Sequence, residues 1–314
     1  MSIRWGFLGA GNVATVALAP AVHAATGAVL HSAAARDPAR AAALRPVTVA
    51  SSYERLLEDP DVDAVYISLS NEAHLPWILA ALKADKHVLC EKPLCLTADE
   101  VDEVVAAQGN RLVVEASWYR WHPRIRLAQA RLADIGPVQH ISAGFAFAGA
   151  LSGNYRLEPG RGGGALYDVG HYAVSAALWA VGRGLPDDVS ARAVWGPTGV
   201  DLRTEAVLDW DGCSAEVRCG IDEGLGQWLV ITGTDGELEL RDAPFSSWKD
   251  DATELWISDG TGTEIVEVPP VDAYEVMVEE MSSVLADGPG WVLPLAESRQ
   301  TAACLDQIRD ASPR

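Results

Sequence analysis

Directly after the apolar run Ile3–Leu8 the chain reads Gly9-Ala10-Gly11-Asn12-Val13-Ala14, and a helical stretch follows as far as His23. A G-x-G-x-x-A turn between a buried strand and a helix leaves few folds open. Gly9 allows the tight turn, Gly11 lets the backbone approach a ligand closely, and the small Ala14 lets the helix lie near the strand. The helix N-terminus then presents unpaired N–H groups and a partial positive charge, which suits a pyrophosphate.

The pattern around this turn supports the same architecture. Short apolar runs at Ile3–Leu8, Ala28–Ala34, Val47–Ala50, Ala64–Leu69, His87–Cys90 and Leu112–Glu115 alternate with helical stretches. Fully apolar strands separated by helices imply a parallel sheet covered on both faces. Residues 1–117 are therefore expected to form a doubly wound Rossmann domain of α/β class.

After Ser117 the pattern changes. A glycine cluster, Gly162-Gly163-Gly164, opens a long helical stretch to about Val181, and alternating segments follow from Val189 to Val268. Asp211-Gly212, Asp235-Gly236 and Asp259-Gly260 separate several of them, as in a meandering antiparallel sheet. Residues 118–314 are expected to form an α+β domain with one large, mostly antiparallel open sheet. The last helix is free to pack back on the first domain.

Composition narrows the partners. A formal net charge of -20 argues against nucleic-acid and membrane-surface binding, since both partners are anionic. The five cysteines are scattered without paired C-x-x-C spacing, so neither a disulfide framework nor a metal site is expected, and a cytoplasmic location fits. No secretory leader is read, because Ile3–Leu8 already serves as a strand.

The residue after the second strand selects the dinucleotide. Arg36 favours the extra phosphate of NADP, whereas Asp37 would take the adenosine ribose of NAD were the strand one residue longer. NADP is the preferred reading and NAD the alternative.

Glu91-Lys92-Pro93 follows the fifth strand, at the carboxyl edge where open α/β sheets bind ligands. Asp168 and Tyr172 lie four residues apart and share a face if helical. Moving a hydride to or from a carbinol carbon requires a partner for the hydroxyl proton. A phenol with a pKa near ~10 becomes a competent base when an ammonium stabilises its phenolate. Lys92 can supply that charge, and Asp168 can orient the ammonium or the substrate. A capping Asp and a core Tyr would look the same in sequence. His171 is a rival acid/base, displaced from Tyr172 by about 60° on a helix of ~3.6 residues per turn.

With these residues in hand, the chain resembles the glucose–fructose oxidoreductase / inositol dehydrogenase / MocA (Gfo/Idh/MocA) family. The likeness rests on Asp63-Ala64-Val65-Tyr66-Ile67, Ser70-Asn71-x-x-His74 and Cys90-Glu91-Lys92-Pro93-Leu94 in the first half. In the second half it rests on Tyr119-Arg120-x-His122-Pro123, Asn154-x-Arg156 and Gly162 through Gly170. It most resembles the branch holding glucose–fructose oxidoreductase, xylose dehydrogenase and trans-dihydrodiol dehydrogenase. Two positions depart from the family pattern: Ser70 stands where Pro is common, and His171 where Cys is usual.

The resemblance implies that Lys92 lies beside the nicotinamide, that Tyr172 is the acid/base and that Asp168 faces the substrate. It also implies that Asn71 lies near the nicotinamide end and that the second-domain sheet forms a homo-oligomer face. The expected cofactor set is Gly9, Gly11, Asn12, Val13, Arg36, Asn71, His74, Glu91 and Lys92. The expected substrate set is Tyr119, Arg120, Trp121, Arg156 and His171, whose rings and donors suit a small polyhydroxylated molecule. The function so read is an NAD(P)-dependent dehydrogenase or reductase of a sugar, sugar derivative or vicinal diol. Alternatives are a cofactor-binding regulator of the same fold and a reductase of a non-sugar carbonyl or imine.

Overall fold

Six short strands pair side by side in parallel: β1 (Ile3–Leu8), β2 (Ala28–Ala34), β3 (Thr48–Val49), β4 (Ala64–Ile67), β5 (His87–Cys90) and β6 (Val113–Glu115). Their order is β3-β2-β1-β4-β5-β6, so the strand sequence reverses between β1 and β4. All four residues of β4 and five of the six in β1 are buried, which explains why these strands read as continuous apolar runs. Phe7 and Tyr66 meet edge to face at 4.8 Å between those two central strands.

The computed structural model describes residues 2–149 and 153–314 and divides into two units. Unit 1 holds the chain up to Cys95, then Asp99–Trp118 and Asp272–Ser298. The later segment brings in a helix, Ala273–Leu285, capped by Asp272, which accepts from the N–H groups of Tyr274 and Glu275. Its Ser282 hydroxyl accepts from the buried Trp5 indole at 3.2 Å. The segment returning to the first domain is therefore this helix. The final helix, Leu295–Ala311, belongs to unit 2 from Arg299 onward.

Unit 2 carries β7 (Val138–Ala148), β8 (Asp188–Trp195), β9 (Asp201–Trp210), β10 (Cys213–Gly220), β11 (Asp222–Gly233), β12 (Gly236–Leu240), β13 (Thr253–Asp259) and β14 (Thr263–Val268). These form one sheet in the order β14-β13-β12-β11-β7-β10-β9-β8. Alternating burial along β9 and β10 marks one face turned to the core, where the helix His171–Val181 packs on β7 and β10. The sheet is not a plain meander. β7 lies between β11 and β10, antiparallel to the first and parallel to the second. The Asp-Gly turns fix the local hairpins, but no local signal marks which earlier strand fills a gap between them.

A second difference concerns helix starts. The helical stretches expected after both glycine motifs begin with π-helical turns, Ala14–Leu18 and Leu166–Gly170, before continuing as α-helix. Among the described residues, no helix is long and apolar enough to cross a membrane.

Candidate functional site

In unit 1 the glycine turn is built for close approach. Gly9 has φ +98°, and a Cβ there would collide with the carbonyl oxygen of Ser68. Its N–H donates to Ala34 O at 2.9 Å, which ties the turn to β2. A Cβ on Gly11 would sit 2.9 Å from Ser68 Oγ. Val13 then enters the helix with no side chain capping the first turn. A bare backbone cradle at a helix start fits a dinucleotide pyrophosphate.

At the other side of this turn, β2 ends at Ala34 and Arg36 is exposed. The Asp37 carboxylate caps the next helix through Oδ1, which accepts from Ala39 N–H at 2.9 Å. Arg40, one turn on, donates to Ala10 O within the glycine motif. Burial raises the pKa of Tyr53, and the charges of Arg36 and Arg40 oppose that rise, so both cations face this phenol. Tyr53 packs edge-on to Trp77 at 5.0 Å.

The Glu91-Lys92-Pro93 loop is held from several directions. Tyr66 Oη donates to Glu91 Oε1 at 2.6 Å. Burial pushes the Glu91 carboxyl up, against the pull of that hydrogen bond and of the Lys92 charge. Glu115 accepts from Leu94 N–H at 2.7 Å and from the Ser298 hydroxyl at 3.0 Å. His74, fully buried, sets Nδ1 2.8 Å from Pro93 O and Nε2 3.3 Å from Leu69 O. Burial lowers its pKa, so the ring is neutral near pH 7. The Lys92-Pro93 peptide is cis. Asn71, 6% exposed, opens the short turn Asn71–Ala73 after β4. Gly9, Gly11, Asn12, Val13, Arg36, Asn71, His74, Glu91 and Lys92 thus all follow the carboxyl ends of parallel strands in unit 1.

Unit 2 assembles its own group. The π-turn Leu166–Gly170 carries Asp168, 5% exposed, whose Oδ2 accepts from Arg156 Nε at 2.5 Å. Asp201 accepts from Leu166 N–H and from the Thr204 hydroxyl, each at 2.8 Å. Gly164, at φ +121°, passes so close to Asp201 that a Cβ would overlap its carboxylate. This contact accounts for the end of the glycine cluster.

Tyr172, 6% exposed, stands among Tyr119, Phe145 and Phe245 at ring separations of 5.6, 5.6 and 5.9 Å. Tyr119, 1% exposed, turns its hydroxyl to Ser175 Oγ at 2.8 Å and presents its ring to Tyr172. His171 meets Tyr172 edge-on at 5.8 Å. Arg120 and the fully buried Trp121 follow Tyr119 in the short turn Trp118–Trp121. Arg156, Asp168, His171, Tyr172 and Tyr119 thus gather in unit 2.

Sequence reading missed Asp201, Glu115 and Tyr66. Tyr66 and Glu115 are polar groups on otherwise apolar strands, where burial demands a partner, and that was the available signal; Asp201 opens a mixed strand and carried none.

A parallel sheet with a glycine turn at a helix start is the arrangement of a dinucleotide-binding Rossmann domain. Residues 3–115 match an oxidoreductase family with an NAD-binding Rossmann fold, and residues 125–239 match the GFO/IDH/MocA C-terminal domain. The chain belongs to the Gfo/Idh/MocA family of oxidoreductases. It is 35% identical to D-xylose 1-dehydrogenase (NADP(+)) 2 of Haloferax volcanii, over 99% of this chain and 97% of the relative. It is 30% identical to trans-1,2-dihydrobenzene-1,2-diol dehydrogenase of Bos taurus, with the same two coverages. Among solved structures, a 3-ketoreductase from Actinomadura kijaniata in complex with NADP and TDP-benzene superposes with a TM-score of 0.92. That likeness has 25% identity and covers 99% of this chain and 98% of the other.

Proposed function

We propose that the protein is an NADP-preferring dehydrogenase or reductase of a sugar, a sugar derivative or a vicinal diol. The observation that carries the reading is Tyr172, a buried phenol boxed by three aromatic rings and one turn beyond an Asp168 held by Arg156. The names of the relatives point the same way, since they act on a pentose, a diol and a ketone and two of them are named with NADP.

The bound dinucleotide supplies the hydride donor or acceptor. Gly9, Gly11, Asn12 and Val13 bind its pyrophosphate, and Asn71, His74 and Glu91 shape and support the loops at its reactive end. Arg36 takes the additional phosphate of NADP, with Arg40 beside it. This assignment is supported by Arg40, which brings a second cation to the same Tyr53 phenol as Arg36. Tyr172 exchanges the hydroxyl proton at its phenolic oxygen, and Lys92 is assigned to the nicotinamide end of the dinucleotide. Asp168, paired with Arg156, faces a substrate hydroxyl. Arg120, Arg156 and His171 donate to the remaining hydroxyls, and Tyr119 and Trp121 provide aromatic walls.

The partner is a small polyhydroxylated molecule. The open face of the unit 2 sheet, where Trp228 donates to Ser142 and Arg218 pairs with Glu223, is the proposed contact between copies of the chain. Five buried, unbridged cysteines favour a reducing, cytoplasmic setting. The test is a panel of aldoses, keto-sugars and diols with NADP(H), followed by nicotinamide absorbance and fluorescence. Turnover of an aldose or diol is expected; cofactor binding with no turnover across the panel, or turnover of aromatic ketones alone, defeats the proposal.

A further inference from the structure

Arg124 is fully buried in the first turn of the helix Pro123–Ala130, and its guanidinium spans one short loop of unit 2. Nη1 donates to Arg241 O at 2.5 Å. Nη2 donates to Asp242 O at 3.2 Å, to Ala243 O at 3.1 Å and to Ser247 Oγ at 2.6 Å. These acceptors are all neutral. Burial, opposed by the Asp242 charge, brings the Arg124 pKa down to about 10, so the group is still a cation at pH 7. Taking a charge out of water is costly, and an ordinary surface turn does not require it.

The loop so held has an uncommon backbone. Asp242 and Ala243 follow β12 with φ of +54° and +51°, in the left-handed region that glycine usually occupies. Residues persist there when their surroundings over-determine them. The surroundings here are the guanidinium and Gln227 of β11. Gln227 Oε1 accepts from Phe245 N–H at 3.1 Å, and its Nε2 donates to Ser246 Oγ.

What the loop delivers is Phe245. Its side chain is fully buried, with its ring centre 5.9 Å from that of Tyr172 and 5.5 Å from that of Tyr119. Arg124 binds the loop before and after Phe245, and Gln227 binds it at Phe245 and Ser246. With its flanks fixed, Phe245 keeps its place, and the Tyr172 ring has one setting against it. A misplacement of about 1 Å is enough to slow a reaction markedly.

We propose that Arg124 and Gln227 are positioning residues for the oxidoreductase reaction, holding the Tyr172 phenol in its proton-transfer setting through Phe245. The inference rests on the assignment of Tyr172 as acid/base above.

Double-variant cycles test it, read as kcat and KM with NADP(H) and the best substrate of the aldose and diol panel, at a temperature where each variant is folded. Phe245→Leu and Arg124→Lys should each lower kcat by about tenfold or more and leave the KM for the cofactor within about twofold. Lysine keeps the charge but lacks the planar fork that reaches the carbonyls and the hydroxyl together. Placed in Tyr172→Phe, the same substitutions should cost no further turnover, because the group they position is gone. A merely structural role would lower the residual turnover by the same factor again. Should Arg124→Lys not fold, Gln227→Met takes its place with the same expected pattern. Wild-type kcat in these variants, or losses that multiply in Tyr172→Phe, overturn the positioning role while Tyr172 keeps its own. Wild-type turnover in Tyr172→Phe, or no turnover of any panel member by the wild type, overturns the acid/base assignment and this inference with it.

Discussion

The Asp201 carboxylate holds the backbone N–H of Leu166 at 2.8 Å, and so anchors the turn that carries Asp168 two residues later. The same oxygen takes the Thr204 hydroxyl, so its loss would leave two buried donors without an acceptor. Asp201→Ala is expected to cost about 2 kcal/mol of unfolding free energy, in line with hydrogen bonds to charged groups. Urea denaturation measures this, and a variant within about 0.5 kcal/mol of wild type would remove Asp201 from its anchoring role.

Gly9→Ala should abolish dinucleotide binding. The new Cβ meets the Ser68 carbonyl, and the backbone sits where side chains are strained. Fluorescence titration with NADPH is expected to lose at least about tenfold in affinity, or about 1.4 kcal/mol. Unchanged binding would mean that the cofactor does not use this turn.

Arg36→Ala tests cofactor choice. Affinity for NADP should fall by about tenfold or more, while affinity for NAD should change little, since only NADP carries the extra phosphate. Arg40→Ala should act in the same direction, with an added loss for both cofactors because it also binds Ala10 O. Equal losses for the two cofactors in Arg36→Ala would refute the phosphate assignment.

Tyr172→Phe removes one oxygen and leaves the ring among Tyr119, Phe145 and Phe245. Turnover should fall by about a hundredfold or more, the usual worth of a positioned proton donor or acceptor. The melting temperature should be unchanged. A fall in stability with turnover retained would assign Tyr172 to packing alone.

His122 gives a pH signature. Its Nδ1 accepts from Arg124 N–H at 3.1 Å, and burial, followed by the Arg124 charge, brings its pKa down to about 4. Between pH 6.5 and 4 the unfolded chain therefore binds a proton that the folded chain refuses. Stability from this group is complete above pH 6.5 and is lost as pH falls towards 4. His122→Asn keeps a capping acceptor without the titration, so its melting temperature should fall less than wild type over that interval. Parallel melting curves across the interval would contradict this.

How much was legible followed the range of each interaction. The glycine turn, the parallel strands and the Asp-Gly hairpins are local, and spacing alone revealed them. The Lys92 loop and the Asp168–Tyr172 pair could also be picked out as motifs. What remained hidden depends on distant partners. Nothing near Glu115 announces Leu94 and Ser298, and nothing near Asp201 announces Leu166. The return of residues 272–298 to unit 1 was hidden too, since an amphipathic helix reads the same whichever sheet it covers. The π-turns escaped because an extra residue per turn leaves no clear mark on a short apolar pattern.

The interleaving of the two units has a consequence for biosynthesis. Trp5 emerges from the ribosome among the first residues, but its partner Ser282 is made 277 positions later. β7 likewise waits for β10, with His140 and Ser214 separated by 74 positions. Neither hydrophobic nucleus can be sealed while the nascent chain is still short. Maturation is thus weighted towards the end of translation, when pairings distant in sequence become available and the entropy of closing long loops must be overcome.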